Sequence, residues 1–532
     1  MDSQAGSAGG WKLICGNTFE IIQAILFSVF LIFLGFFSFS RLKGQERSPH
    51  AILSLGAQQS TQKFLPFYHH SYQGGILRNK KAALWAGLQA HYEDSLWNSH
   101  DFLAEGEFSG YMTRDQNRQF WIQNAYLGLS HPLAEILVGK VPYIRTKAFP
   151  DYPIWAWGDL ALSPHAEPIP KLGLQLNTPS GFRLGTWHLH VRHGWLENAR
   201  PVRMPYWHER SLWWKFQPRV QSPWILYAGV QHHALWGGSL ASGERLHKRA
   251  EDVFKVLFFQ PGEDPNVAGS HLVFINIGSY FKFSEVWGLP KDGFTRHVLH
   301  VFYQLIAEDK SGLQFANMRN GLFRASLQNN SQYPLALLGY EYLNTSQQSG
   351  PGLPDPTSAY PSREANYGYP FGGRDNIYNN YLYPRGYTYR GLVIGDPVYL
   401  TALRSQQIGL DLDEHADGFI LSNRIRAHRV YLATYPWPDL SINLNYTRAT
   451  HLGSYFGRYE GRYNWDGQAK DPDFPYFFSS PKVQHHIQLR LEKSMGWAPL
   501  STSLSFAWDG GDMYRNSGIM AGLRYMPFLP SR

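Results

Sequence analysis

Strict alternation of apolar and polar residues recurs in short segments along nearly the whole chain, behind a single N-terminal apolar stretch, and this limits the available folds. Ile442, Leu444 and Tyr446 interleave with Asn443, Asn445 and Thr447; Ile487, Leu489 and Leu491 interleave with Gln488, Arg490 and Glu492. Near the C-terminus Leu500, Thr502, Leu504, Phe506 and Trp508 face one way, and Ser501, Ser503, Ser505, Ala507 and Asp509 the other. A period of two describes a strand with one apolar and one wet face, in a half-buried sheet or in a membrane barrel.

Composition separates those two. Aromatic residues make up 16% of the 532 residues, with 18 Trp and 32 Tyr, more than a compact core needs. Such residues collect in the interfacial girdles of membrane barrels. The mean hydropathy of -0.35 does not oppose a barrel, because only alternate residues face lipid and the loops are polar.

Ile21 to Phe39 form an almost uninterrupted apolar run, preceded by Lys12 and followed by Arg41, Leu42, Lys43, Gly44 and Gln45. A transmembrane anchor competes here, since the run approaches the ~20 residues that span a bilayer. An export signal over residues 1–45, cleaved near Gln45, is the preferred reading. No later segment approaches a spanning helix, so insertion must then use strands. The single cysteine, Cys15, falls inside that signal, which excludes disulfides, zinc-thiolate sites and cysteine nucleophiles from the mature chain. A formal charge of +8 suits an anionic surface partner such as a polysaccharide or lipopolysaccharide. Nucleic acid is disfavoured, because no Lys/Arg block occurs and the compartment is wrong.

Strand-like segments follow one another from Ala82. Leu84, Ala86, Leu88 and Ala90 alternate; Trp187, Leu189 and Val191 oppose His188, His190 and Arg192; Val273, Ile275 and Ile277 follow; Phe323, Ala325 and Leu327 oppose Arg324, Ser326 and Gln328. Strands of about 10 residues plus turns give roughly 16 to 18 strands in an all-β antiparallel transmembrane barrel occupying residues 82–532. Glu46 to Lys81 is expected to be periplasmic and extended, closing or leading into the barrel. A barrel this wide needs a plug. Asn344 to Asp417 is the candidate for a plug or surface loop, because alternation fails there and Pro351, Pro354, Pro356, Pro361, Pro370, Pro384 and Pro397 accumulate.

The densest motif lies in that region: Gly372-Gly373-Arg374-Asp375-Asn376-Ile377-Tyr378-Asn379-Asn380-Tyr381, then Arg385-Gly386-Tyr387-Thr388-Tyr389-Arg390-Gly391 and Ile394-Gly395-Asp396-Pro397. It resembles the Tyr/Asn-rich stretch and Ile-Gly-x-Pro pattern of the capsule assembly protein Wzi family, and the chain as a whole looks like a Bacteroidetes-type member. The motif covers about thirty residues, while the likeness in layout extends across most of the mature sequence. The resemblance implies a monomeric outer-membrane barrel of about 18 strands, occluded rather than open, acting as a surface lectin that anchors capsular polysaccharide. Insertion would use the barrel-assembly machinery. The chain departs from the enterobacterial branch, whose N-terminal periplasmic helical bundle cannot fit in Glu46 to Lys81, which is short and broken by Pro49, Pro66 and Gly74-Gly75.

The motif also has a physical logic for glycans. Tyr378, Tyr381, Tyr387 and Tyr389 offer flat faces to sugar C–H surfaces; Asn376, Asn379 and Asn380 offer paired donors and acceptors; Arg374, Arg385 and Arg390 offer forks for uronate or phosphate. Arg374, Asp375, Asn376, Tyr378, Asn379, Arg385, Tyr387 and Tyr389 are therefore the glycan-binding candidates. The competing reading is a plug whose Tyr and Asn side chains satisfy each other and the barrel wall.

Other clusters point less clearly to chemistry. The pairs His69/His70, His232/His233 and His485/His486, with His188-x-His190, read as lumen-facing polar histidines, since no third metal ligand is placed. Asp411, Asp413, Glu414 and Asp417-Gly418 lack the twelfth-position acid of a calcium loop and read as solvated loop charge. No metal or cofactor is expected. Neither Gly-x-Ser-x-Gly nor His-Glu-x-x-His occurs, so an outer-membrane lipid-modifying enzyme is the weakest reading. A non-catalytic, polysaccharide-binding outer-membrane barrel leads, with a carbohydrate porin as the main rival.

Overall fold

The computed structural model describes residues 50–75, 81–96, 102–114, 118–143, 158–178, 185–219, 222–246, 250–258, 269–283, 297–307, 319–329, 335–348, 376–410, 412, 419–454, 477–496 and 498–526. The export signal, Arg374, Asp375 and the acidic residues Asp411, Asp413, Glu414 and Asp417 lie outside them. The first barrel strands are β1 (His50–Ser60), β2 (Ala82–Ser95), β3 (Leu103–Arg114), β4 (Arg118–His131), β5 (Ala134–Lys140) and β6 (Pro170–Asn177). Next come β7 (Thr186–Trp195), β8 (Tyr206–Phe216), β9 (Trp224–Trp236), β10 (Ser270–Lys282), β11 (His297–Ala307), β12 (Gly321–Asn329) and β13 (Leu335–Asn344). Four short strands intervene: β14 (Thr388–Tyr389), β15 (Leu392–Val393), β16 (Leu400–Thr401) and β17 (Ile420–Ser422). The barrel resumes with β18 (Ile425–Trp437), β19 (Leu440–His451), β20 (Lys482–Met495), β21 (Leu500–Gly511) and β22 (Asn516–Tyr525).

Each barrel strand pairs antiparallel with its neighbours in chain order, β13 pairing directly with β18, and β1 closes the ring against β22 from Leu53↔Tyr525 to Ser60↔Gly518. The result is a closed antiparallel barrel of 18 strands. The barrel thus begins at His50 and not at Ala82. Of the stretch Glu46 to Lys81, residues 50–60 close the barrel as a wall strand and residues 61–75 enter the lumen, which corrects its expected place as a periplasmic stretch ahead of the barrel.

Alternation becomes two faces. Leu55, Val230, Ile277, Phe323 and Leu444 point out of the wall and are exposed in the isolated chain, while Arg324, Ser326, Gln328, Asn445 and Thr447 point in and are buried. Exposed outward aromatics gather toward the two rims: Trp187, Trp224, Trp437 and Tyr525 at one, Phe120, Trp195 and Trp508 at the other. That arrangement matches the paired girdles of a membrane barrel. At the end where β1 starts, most connections are brief, such as 132–133, 330–334, 438–439 and 496–499. At the opposite end lie the long ones: 61–81, 141–169, 237–269, 345–424 and 452–481.

Three of the long connections enter the lumen and occlude it: 61–75 with the one-turn helix α1 (Phe67–His70), 158–169, and the described part of 376–424. In the 237–269 connection, α2 (Ala250–Phe258) instead lies against the outer wall, its Val256 packed with Ala234 and Trp236. The third short helix, α3 (Ala402–Gln407), belongs to the plug and is capped by the Thr401 hydroxyl, which accepts from the Arg404 N–H.

The two faces differ sharply in tolerance for charge. Val230→Lys, on the lipid face of β9, should cost ~2–4 kcal/mol, whereas Ser503→Lys, on the lumen face of β21, should stay within ~0.5 kcal/mol. Denaturant unfolding of the refolded barrel in lipid vesicles, followed by heat-modifiable migration, measures both.

Candidate functional site

The Tyr/Asn motif forms the heart of the plug. Tyr378 and Tyr387 stack with ring centroids 4.9 Å apart, and Tyr399 meets Tyr378 edge-on at 4.9 Å. Tyr387 donates its hydroxyl to the Ala161 carbonyl at 2.7 Å, packs edge-on against Trp207 of β8 and contacts His233 of β9. The Tyr378 hydroxyl donates to the Leu160 carbonyl at 2.5 Å. The motif is thereby clamped between the barrel wall and the 158–169 segment. Two glycines permit this approach: a Cβ on Gly386, which sits at φ +52, would lie 1.9 Å from the Tyr378 carbonyl oxygen, and one on Gly395 would lie 2.4 Å from that of Leu160.

The asparagines act as backbone surrogates. Asn379 donates to the Ile420 carbonyl at 2.8 Å and accepts from the Ile420 N–H at 3.0 Å, its side-chain amide standing in for a strand neighbour at the start of β17. Asn376 accepts from the Asn379 amide at 3.0 Å and from Asn423 at 2.5 Å, while the Ile377 N–H donates to Gln348 at 2.9 Å. Asn376, Tyr378, Asn379, Tyr387 and Tyr389 are all buried. Their polar atoms and faces are spent within the protein, as buried polar groups require, and as packed here they offer no surface to a glycan. Arg385 is half-buried, its guanidinium 5.6 Å from the centre of the Phe419 ring, and Tyr381 is 63% exposed.

The Ile-Gly-Asp-Pro segment ties the plug to the wall through charge. Asp396 accepts two hydrogen bonds from Arg429 of β18, both 2.6 Å. Arg429 also bonds Glu341 of β13, which receives Arg324 of β12 at 2.6 and 2.9 Å. Two arginines and two carboxylates, all buried, make a neutral chain from wall to plug. Arg324 further donates to the Gly158 carbonyl at 2.7 Å, engaging the second lumen segment. A second bridge joins Lys140 of β5 to Glu167 at 3.1 Å and Glu167 to Arg390 at 2.9 Å. Arg200 donates to the carbonyls of Thr388 and Gly386, and burial lowers its pKa from the ordinary guanidinium range. At the third segment, Asp509 of β21 accepts from the Phe67 N–H at 2.8 Å and pairs with His486 at 2.7 Å, and Phe67 stacks on His486 at 4.3 Å.

Glu341 and Arg429 carry no mark in the sequence, and Arg324 is marked only by alternation, although all three sit at inward positions of their strands, where a fully buried charge demands a counter-charge. The histidine pairs need correction. Successive strand residues point to opposite faces, so His233 and His486 face the lumen while His232 and His485 face outward. His232 stacks on His271 at 5.1 Å and accepts from Arg210 at 3.0 Å, and His485 pairs with the Tyr446 hydroxyl at 2.9 Å. Among the described residues, no group of three or more His, Cys, Asp or Glu side chains is placed to hold a metal.

Two predictions follow from the plug's anchoring. Asp396→Ala leaves Arg429 buried with half its partners and should cost ~3–5 kcal/mol, read as a lowered thermal midpoint together with unstable channel openings in a planar bilayer. The plug histidines add pH dependence. Burial lowers the pKa of His69 to about 4 and that of His165 to about 3. Both are neutral in the folded and unfolded chain above about pH 6.5; below it the unfolded chain takes up protons that the plug refuses, so stability falls with pH. From pH 7.5 to pH 5 each should remove ~2 kcal/mol, and melting across that range in His69→Gln and His165→Gln should be flatter than in the parent.

No family model matches the chain, and no curated protein matches it. Solved structures do. The Escherichia coli outer-membrane protein Wzi, described as a carbohydrate-binding β-barrel involved in group 1 capsule assembly, is similar over 90% of this chain and 84% of its own, with 15% identity and a TM-score of 0.50. OprD of Pseudomonas aeruginosa aligns over 91% and 94% with 10% identity and a TM-score of 0.42, and OpdQ of the same organism over 90% and 97% with 8% and 0.43. At such identities the likeness concerns the fold alone, which is that of an outer-membrane β-barrel.

Proposed function

We propose that this chain is a non-catalytic outer-membrane protein that binds and anchors an anionic capsular or other surface polysaccharide. The observation that carries this reading is the plug: a wall this wide is filled by three segments and held by buried ion pairs, an arrangement suited to a rigid platform and poorly suited to a conduit. The carbohydrate binding printed for the similar Wzi barrel supports the same direction, as does the +8 charge of the chain. The end with the long connections faces the cell surface in this reading, and the protein acts as a monomer among lipopolysaccharide molecules. Recognition then belongs to the exposed Tyr381 and the half-buried Arg385, and not to the motif's buried tyrosines.

Two measurements test the proposal. Purified protein should bind acidic polysaccharide from its source cell, with Arg385→Ala weakening binding and lessening its salt sensitivity, because exposed charges are screened beyond about 8 Å at physiological ionic strength. Tyr381→Ala should weaken it equally at every salt concentration, since stacking releases no counterions. In planar bilayers the parent should conduct little, and deletion of residues 376–395 should open it. Large, stable parental channels without polysaccharide binding would hand the chain to the carbohydrate-porin reading.

A further inference from the structure

Beneath the plug, at the end with the short turns, the lumen is not filled. A cavity of about 210 Å³ lies among β1, β2, β3, β20, β21 and β22, with Gln73 of the 61–75 segment on its plug side. Its wall is built for flat contact. The Trp85 indole lies over Gly56, where a Cβ would come within 2.3 Å of the ring, and the Tyr111 ring lies over Gly87, where a Cβ would come within 2.4 Å. One face of each ring is thus laid on the barrel wall, and both residues line the cavity, their centroids 6.3 Å apart.

Around the rings stand hydroxyl and amide groups, Ser501, Ser503, Gln89 and Gln488 among them. The charged residues lining the space are Arg490, Glu492 and Arg524, one positive charge in excess. Arg490 is hydrogen-bonded to Glu492. Arg524 is exposed and makes no ion pair or hydrogen bond with a described side chain. Aromatic faces beside hydrogen-bonding groups suit the C–H and hydroxyl surfaces of a sugar, and a free guanidinium fork suits a carboxylate.

We propose that this lower-lumen cavity is a binding site for a carboxylated saccharide of one or two residues, stacked on Trp85 and Tyr111 with its carboxylate on Arg524. The plug separates the cavity from the long-connection end, so the site stands or falls independently of polysaccharide binding there. Digalacturonate is the probe and maltose its neutral control. In protein labelled with 5-fluorotryptophan, with the Trp85 resonance assigned through Trp85→Phe, digalacturonate should shift that resonance saturably, and maltose should do so far more weakly. Arg524→Ala, whose side chain has no hydrogen bond or ion pair among the described residues, should weaken the titration roughly tenfold or more, while Tyr381→Ala should leave it unchanged. An unmoved Trp85 resonance, equal response to maltose, or undiminished affinity in Arg524→Ala would overturn the proposal.

Discussion

Every strand in a bilayer must have its backbone N–H and C=O groups paired, because hydrocarbon offers no substitute partner. Here that requirement is met by joining the first described strand to the last, β1 to β22, across most of the chain. All else depends on this closure. It fixes the parity of each strand, so that Leu55 and Ala57 meet lipid while Ser54, Gly56 and Gln58 meet the lumen. It also creates an enclosed polar space that the chain must fill.

The filling obeys the economics of buried polarity. On the wall, Arg324, Glu341 and Arg429 leave one positive charge in excess where the plug excludes water, and the plug supplies Asp396 to neutralise it. In return, the irregular backbone of the lumen segments, whose described part forms short pairings such as Thr388↔Val393, bonds to wall side chains: the Leu160 and Phe67 N–H groups donate to Gln304 and Asp509, and the Gly158 carbonyl accepts from Arg324. Wall and plug each satisfy what the other leaves open. The tyrosines add apolar area: Tyr378, Tyr387 and Tyr399 form a stacked core where a soluble protein would place aliphatic residues, each with its hydroxyl on a polar partner.

The barrel itself was legible because alternation is a local property. Ile442 to Thr447 and Leu500 to Asp509 lie in the structure as their spacing predicts, with the two sets of side chains on opposite faces. The first strand was harder to see. In His50 to Ser60 the adjacent Ile52 and Leu53 break the pattern, and its partner β22 lies at the other end of the chain. The lumen role of 158–169 was also missed, since its sequence carries no alternation and little that distinguishes it from a surface loop.

The sequence by itself determined the class: period-two segments and abundant aromatic residues admit a membrane barrel of roughly this strand number, and the Pro/Tyr/Asn-rich insertion admits a plug. What Tyr378 or Tyr387 touches was decided only by the tertiary structure. A tyrosine suited to stack on a sugar is equally suited to stack on another tyrosine, and the choice rests on Trp207, His233 and the Leu160 carbonyl, brought there from distant parts of the chain. The same is true of Trp85 and Tyr111, ordinary strand aromatics until closure lays them over Gly56 and Gly87. Periodicity is written between neighbours in sequence, whereas the occupant of a face is set by contacts that exist only after the ring has closed.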